Sequence, residues 1–218
     1  MPYDFILFDF DGTLFDTSEG ILTGIRLALE NAGIFVESDR ELHKFMGPPV
    51  VQALKEFYGM TEEEAQRTKK VYREYYAKEG VFLCKPIDGA EKCLQGLLKA
   101  GKTLAVATSK PEPFARSILE RFGYLRYFAA VAGGNLDETR SKKSEVISAV
   151  LQELGITDLS RAVMVGDRKY DVLGAKEAGL GCIGLNTGFS EPCELENAGA
   201  IAVVHNYDEL GQLLSFKK

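Results

Sequence analysis

From about residue 90 onward the chain alternates short apolar runs with amphipathic segments, and this alternation constrains the fold more than any other feature of the sequence. The runs at residues 103–107, 128–132, 162–165, 182–185 and 201–204 have no polar face, which marks strands buried on both sides. Helical patterns at residues 90–100, 113–122, 144–154, 170–178 and 207–214 separate or follow them, several stopped by a glycine such as Gly101, Gly155 or Gly179. Alternation of this kind predicts an α/β fold with a parallel sheet covered by helices on both faces. One further strand, Phe5-Ile6-Leu7-Phe8, stands apart at the N-terminus. Between it and the rest lies a stretch with helical patterns and no good strand. Ile21, Ile25 and Leu29 recur at helical spacing, shorter helices are expected at residues 40–45 and 50–58, and Thr61 with Glu64 forms a capping box that opens a helix running to Gly80. The chain therefore reads as a core of residues 1–15 and 84–218, interrupted by an inserted all-helical cap domain at 16–83, with a linker at 85–89.

Composition narrows the partners. The net charge of −6 and the lack of a dense Lys/Arg run argue against nucleic acid or an anionic membrane as the main partner, while leaving room for a small anionic ligand held by a few local cations. No apolar segment approaches the ~18 residues of a membrane span, and the N-terminus lacks a basic region followed by an apolar stretch. Cys84, Cys93, Cys182 and Cys193 are far apart, with only His43 and His205 beside them, so reduced thiols in a cytoplasmic protein are expected rather than a zinc site. A monomer is the default and a dimer stays open.

In an open parallel sheet, ligands bind beyond the carboxyl ends of the strands. Those ends carry the chemistry here. The first strand runs into Asp9 and Asp11, which flank Phe10, and then into Gly12. The strand at 103–107 is followed by Thr108 and Ser109, the strand at 162–165 by Gly166-Asp167 with Asp171 one helical turn later, and Lys142 and Lys143 precede a helix. Like charges gathered at one edge repel unless a cation relieves them, and oxygen ligands suit Mg²⁺. Carboxylates for a divalent cation, with a hydroxyl and a lysine for oxyanions, are the equipment of phosphoryl transfer.

Asp9-Phe10-Asp11-Gly12-Thr13-Leu14, Thr108, Lys143 and Gly166-Asp167-Arg168-Lys169-Tyr170-Asp171 resemble the four motifs of the haloacid dehalogenase superfamily. The match covers nearly the whole chain and implies a Rossmann-like core. The position of the helical insert is similar to that in the phosphoglycolate phosphatase-like branch, and the stretch from Gly134 to Lys143 resembles a subgroup described as 5′-nucleotidases. Ser144 stands where many relatives have proline, which leaves Lys142 as an alternative to Lys143. The resemblance implies a Mg²⁺-dependent phosphomonoester hydrolase. Asp9 would be the nucleophile and Asp11 the general acid–base. Thr108 and Lys143 would hold phosphoryl oxygens, with Gly12 and Ser109 also at the substrate. Asp9, the Asp11 carbonyl, Asp167 and Asp171 would surround the metal. The acid at position 11 favours a phosphate ester over a haloacid, because a halide leaves without a proton and an alkoxide does not. A phosphomutase of the β-phosphoglucomutase kind, a 2-haloacid dehalogenase and a non-catalytic binding protein are the alternatives. A response-regulator-type phosphoacceptor is disfavoured, since its aspartate usually ends the third strand and it has no helical insert. In the cap, Tyr72, Tyr75 and Tyr76 could stack on a nucleobase, although their helical spacing favours packing. Arg26, Lys44 and Lys55 could grip a second anionic group, and the Gly47-Pro48-Pro49 loop could reach the ligand.

Overall fold

The computed structural model describes residues 3–137, 139–140 and 142–215. The chain forms two compact units. One comprises the residues up to Phe15 together with those from Pro86 onward, and the other is Asp16–Lys85.

In chain order, β1 (Phe5–Phe8) leads into the short β2 (Phe15–Asp16), and four helices follow: α1 (Ser18–Asn31), α2 (Asp39–Leu42), α3 (Val50–Tyr58) and α4 (Glu62–Lys78). The short β3 (Lys85–Pro86) pairs with β2 where the chain leaves and re-enters the larger unit. Then come α5 (Ala90–Lys99), β4 (Thr103–Pro111), α6 (Glu112–Arg121), β5 (Ala130–Gly134), α7 (Lys143–Glu153), β6 (Ala162–Gly166), α8 (Lys169–Glu177), β7 (Gly181–Leu185), α9 (Glu194–Ala198), β8 (Ala202–Val204) and α10 (Tyr207–Ser215).

The main sheet has the order β5-β4-β1-β6-β7-β8 and is parallel throughout. β1 is central. Phe5 pairs with Thr103 on one side and Ala162 on the other, and Phe8 with Val106 and Val165. Both faces of β1 are covered, which is why its sequence is apolar without alternation. Leu7, Ala105, Ala107 and Met164 face α7 and α8 through Val146, Ile147, Val150, Val172 and Ala175. Among the described residues no helix is long and apolar enough to cross a membrane, and all four cysteines are free.

Several boundaries differ from those the sequence suggests. β4 does not stop at Ala107. It continues through Thr108, Ser109 and Lys110 to Pro111, with an irregularity in its pairing to β5. β5 begins at Ala130 and ends at Gly134 instead of spanning 128–132, because Gly133 and Gly134 pack against that extension. The expected linker at 85–89 begins as β3, and Ile87 donates its backbone N–H to the Leu14 carbonyl at 3.0 Å. The expected helix at 40–45 is α2 followed by a 3-10 turn at His43–Phe45. The five-residue α9 was not anticipated.

The Asp16–Lys85 unit is built on α1 and α4. The Thr61–Glu64 capping box is present, with both reciprocal bonds made. Tyr72 and Tyr76 are buried with their ring centroids 5.5 Å apart, and the rings of Tyr72 and Tyr75 lie against Gly24 of α1. These tyrosines are packing residues of the unit. Its cations are also engaged: Arg26 pairs with Asp39, Lys55 with Glu62 at 2.7 Å, and Lys44 lies over the rings of Phe57 and Tyr58. Replacing Tyr76 with Ala is expected to destabilise the protein by about 3–5 kcal/mol, the usual cost of deleting a fully buried aromatic ring. Urea unfolding followed by circular dichroism measures this, with the half-buried Tyr75→Ala as the milder comparison.

Candidate active site

The site begins with the turn after β1. The Asp9 N–H donates to the Val165 carbonyl at 2.9 Å, which extends the β1–β6 ladder by one residue and holds Asp9 at the sheet edge. Phe10 then points into the core, where its buried ring stacks on Phe15 with centroids 4.9 Å apart. The carbonyl of Phe10 accepts from the backbone N–H groups of Leu14 and Phe15, closing the turn. Gly12 sits at φ +77°, and a Cβ there would lie 2.3 Å from a carboxylate oxygen of Asp167. Only glycine lets the turn approach Asp167 this closely. Three further bonds hold the turn in place. Thr13 Oγ1 donates to Asp167 Oδ1 at 2.9 Å, the Thr187 hydroxyl to the Gly12 carbonyl, and the Tyr207 hydroxyl to the Thr13 carbonyl at 2.6 Å.

Because β1, β4 and β6 end side by side, residues 167 and 171 come to the same edge as Asp9. Asp9, Asp167 and Asp171 each offer an oxygen, all within 4.8 Å of one another, and all three are buried. Lys143, the first residue of α7, runs under them. Its Nζ donates to Asp9 Oδ1 at 2.6 Å and to the Ala107 carbonyl at 3.3 Å, and lies 2.8 Å from Asp171 Oδ1. Of the two candidate lysines it is Lys143 that reaches Asp9; Lys142 is exposed at the helix N-cap. Asp171 is held by its other oxygen, which accepts from the Arg168 backbone N–H at 3.0 Å.

Asp11 does not join the three-carboxylate group. Its carboxylate pairs with Lys110 at 2.9 Å. Thr108 is buried on the β4 extension, where its hydroxyl accepts from the Lys110 backbone N–H at 3.2 Å. Ser109 follows, half-buried, with its carbonyl against Gly134. Thr13, Thr187, Tyr207 and Lys110 were not singled out from the sequence. Thr13 and Lys110 sit within two residues of residues that were. Thr187 follows the carboxyl end of β7, where the rule that ligands gather at strand ends would have found it. Nothing local marks Tyr207, since its bond spans the length of the chain.

Burial dominates the electrostatics. It pushes the Asp9 carboxyl up to about 7, with repulsion from Asp171 adding to the shift and Lys143 opposing it. Burial, then Asp171 and Asp9, likewise hold Asp167 well above the ordinary carboxylate range. Burial alone would lower the Lys143 ammonium, but Asp171 and Asp9 together keep it raised and charged. With every group ionised, four aspartates (9, 11, 167 and 171) against two lysines (110 and 143) leave two negative charges. The charge and the oxygen-only donor set of Asp9, Asp167 and Asp171 fit one hard divalent cation.

Comparison with known proteins agrees with this geometry. Residues 6–185 match the family described as haloacid dehalogenase-like hydrolase. The chain belongs to that family. It is 40% identical over 195 residues to a 5′-nucleotidase of Pseudomonas aeruginosa, covering 89% of this chain and 88% of that one. It is 36% identical over 212 residues to a tyrosine-protein kinase, PtkA, of Mycobacterium tuberculosis, covering 96% and 72%. Among solved structures, a predicted phosphatase from Clostridium acetobutylicum superposes with a TM-score of 0.94 at 41% identity, over 98% of this chain and 99% of that one.

The raised Asp9 carboxyl has a consequence for stability. In the absence of divalent cations the native state binds a proton at Asp9 that the unfolded chain releases above its ordinary value of 3.8. The native state therefore loses stability from this group as pH rises from about 4 to about 7. In EDTA, the Tm of Asp9→Asn relative to the unmodified protein is expected to climb across that range, and millimolar Mg²⁺ is expected to reduce the climb. Thermal melts at several pH values test both.

Proposed function

We propose that this hydrolase is a Mg²⁺-dependent phosphatase that cleaves small phosphomonoesters through a phosphoryl group carried transiently on Asp9. The observation that carries the reading is the meeting of Asp9, Asp167 and Asp171 within 4.8 Å, with Lys143 bridging Asp9 and Asp171, at the carboxyl edge of the sheet.

Asp9 attacks phosphorus, forming an oxygen–phosphorus bond as the bond to the leaving alkoxide breaks. Asp11, two residues on, gives its proton to that alkoxide and then takes one from the water that hydrolyses the phospho-aspartate, which restores the Asp9 carboxylate and the protonated Asp11. Lys143, already against Asp9, and Thr108, one strand over, stabilise the charge developing on the transferring oxygens. Asp9, Asp167, Asp171 and the Asp11 carbonyl would hold Mg²⁺, which neutralises charge between the incoming phosphate and the carboxylates. Asp11 favours phosphate ester over haloacid chemistry, since an alkoxide needs its proton.

Two lines support nucleoside 5′-monophosphates as the preferred esters: the relative named 5′-nucleotidase, and the stretch from Gly134 to Lys143 that resembles such enzymes. A small carboxylic acid phosphate such as phosphoglycolate is the alternative substrate, and phosphomutase activity the alternative outcome for the phospho-aspartate. The reduced cysteines suit a cytoplasmic setting.

The test is phosphate release from nucleoside 5′-monophosphates, phosphoglycolate and sugar phosphates, with Mg²⁺ and with EDTA. Release is expected only with Mg²⁺, to be lost in Asp9→Asn, and to fall roughly 10²–10⁴-fold in Asp11→Asn, the usual worth of a general acid–base group. Absence of release from every ester, together with Asp9-dependent labelling by ATP, would point instead towards the activity for which the mycobacterial relative is named.

A further inference from the structure

We infer that Lys110 is the positioning residue for Asp11, fixing the acid–base carboxylate at the sheet edge; this rests on the phosphatase reading. Lys110 Nζ lies 2.9 Å from Asp11 Oδ1, and the lysine side chain is only 4% exposed against 22% for the aspartate. The ammonium also lies 5.7 Å from the ring centroid of Phe10, the residue between the two acids. A buried ammonium without a carboxylate partner is costly, and a pair shielded from water attracts far more strongly than one on the surface. The pairing therefore constrains both side chains.

The backbone is shaped to deliver that ammonium. The irregular extension of β4 carries Lys110 past the point where regular pairing ends, a device that re-aims side chains next to active sites. Three contacts fix the extension. The Thr108 hydroxyl accepts the Lys110 N–H. Pro111 pairs with Gly134 and ends the strand at the N-cap position of α6. Gly133 of β5 admits the Lys110 carbonyl, which a Cβ at 133 would approach to 2.7 Å. Thr108 is thus both a candidate phosphoryl ligand and the anchor of the residue that holds the acid.

An acid that must meet a leaving oxygen works only in the right orientation, and a misplacement of about 1 Å can cost on the order of 10²-fold. The loss should depend on the leaving group. Uridine 5′-monophosphate releases a primary alkoxide that needs a proton. p-Nitrophenyl phosphate releases a stable anion that does not. Lys110→Met keeps the length and apolar packing and removes the charge; Lys110→Arg keeps the charge.

Lys110→Met is expected to lower kcat/KM, which reads the phosphoryl-transfer step and not the later hydrolysis of the phospho-aspartate, roughly 10–100-fold for uridine 5′-monophosphate and much less for p-nitrophenyl phosphate. Lys110→Arg should recover part of the loss. In an Asp11→Asn background the Met substitution should cost nothing further on the nucleotide. Equal losses on the two esters, or a full further loss in the Asp11→Asn background, would overturn the inference. If the unmodified protein cleaves neither ester and releases phosphate from no other ester of the panel, it is the phosphatase reading that fails. The pairing is then judged by a thermal double-mutant cycle of Lys110→Met and Asp11→Asn: additive Tm shifts overturn it, and non-additive shifts uphold it.

Discussion

The three-carboxylate group at the carboxyl edge of the sheet depends on the ammonium of Lys143. Pressure towards neutrality in this group, whose acids lie within 4.8 Å of one another, comes first from burial and second from repulsion among the carboxylates, and both Asp9 and Asp167 are raised for these reasons. Lys143 offsets it by touching Asp9 and Asp171 at once and anchoring on the Ala107 carbonyl. That placement requires α7 to start at residue 143 and to pack tightly on α8, where the Lys143 stem lies against Gly174. With β1 between β4 and β6, one lysine reaches Asp9, Asp171 and the Ala107 carbonyl of the neighbouring strand.

Much of this was legible in the sequence, and for a definite reason. Asp9, Thr108 and Asp167 each follow an apolar run, and in a parallel sheet the ends of such runs share an edge. Asp171 was legible because it lies one helical turn from Asp167. The choice between Lys142 and Lys143 was not, since adjacent residues at a helix start differ only in the direction they face, and that is set by packing on α8. The extension of β4 was hidden because Thr-Ser-Lys-Pro has the polar, proline-ended look of a loop. What keeps it extended is Gly133 and Gly134 on another strand. The two-residue β2 and β3 and the five-residue α9 are too short to show a period, and the first two exist only through their pairing with each other.

The smaller unit illustrates the opposite case. The tyrosines and cations that sequence alone left open between ligand contacts and structure have partners within the unit itself. Tyr72 and Tyr76 are buried, Arg26 and Lys55 are ion-paired, and Lys44 lies over two rings. The four aspartates and two lysines of the candidate site all belong to the larger unit.

The bond from Tyr207 to the Thr13 carbonyl joins the turn after β1 to α10 across 194 residues of sequence. A ribosome makes Asp9 long before it makes Tyr207. The turn therefore waits for β4, β6 and finally α10 before it has its full set of anchors. A nascent chain that stops short of α10 carries the Asp9 carboxylate without the scaffold that holds it, so the order of synthesis itself delays the site until those elements have been made.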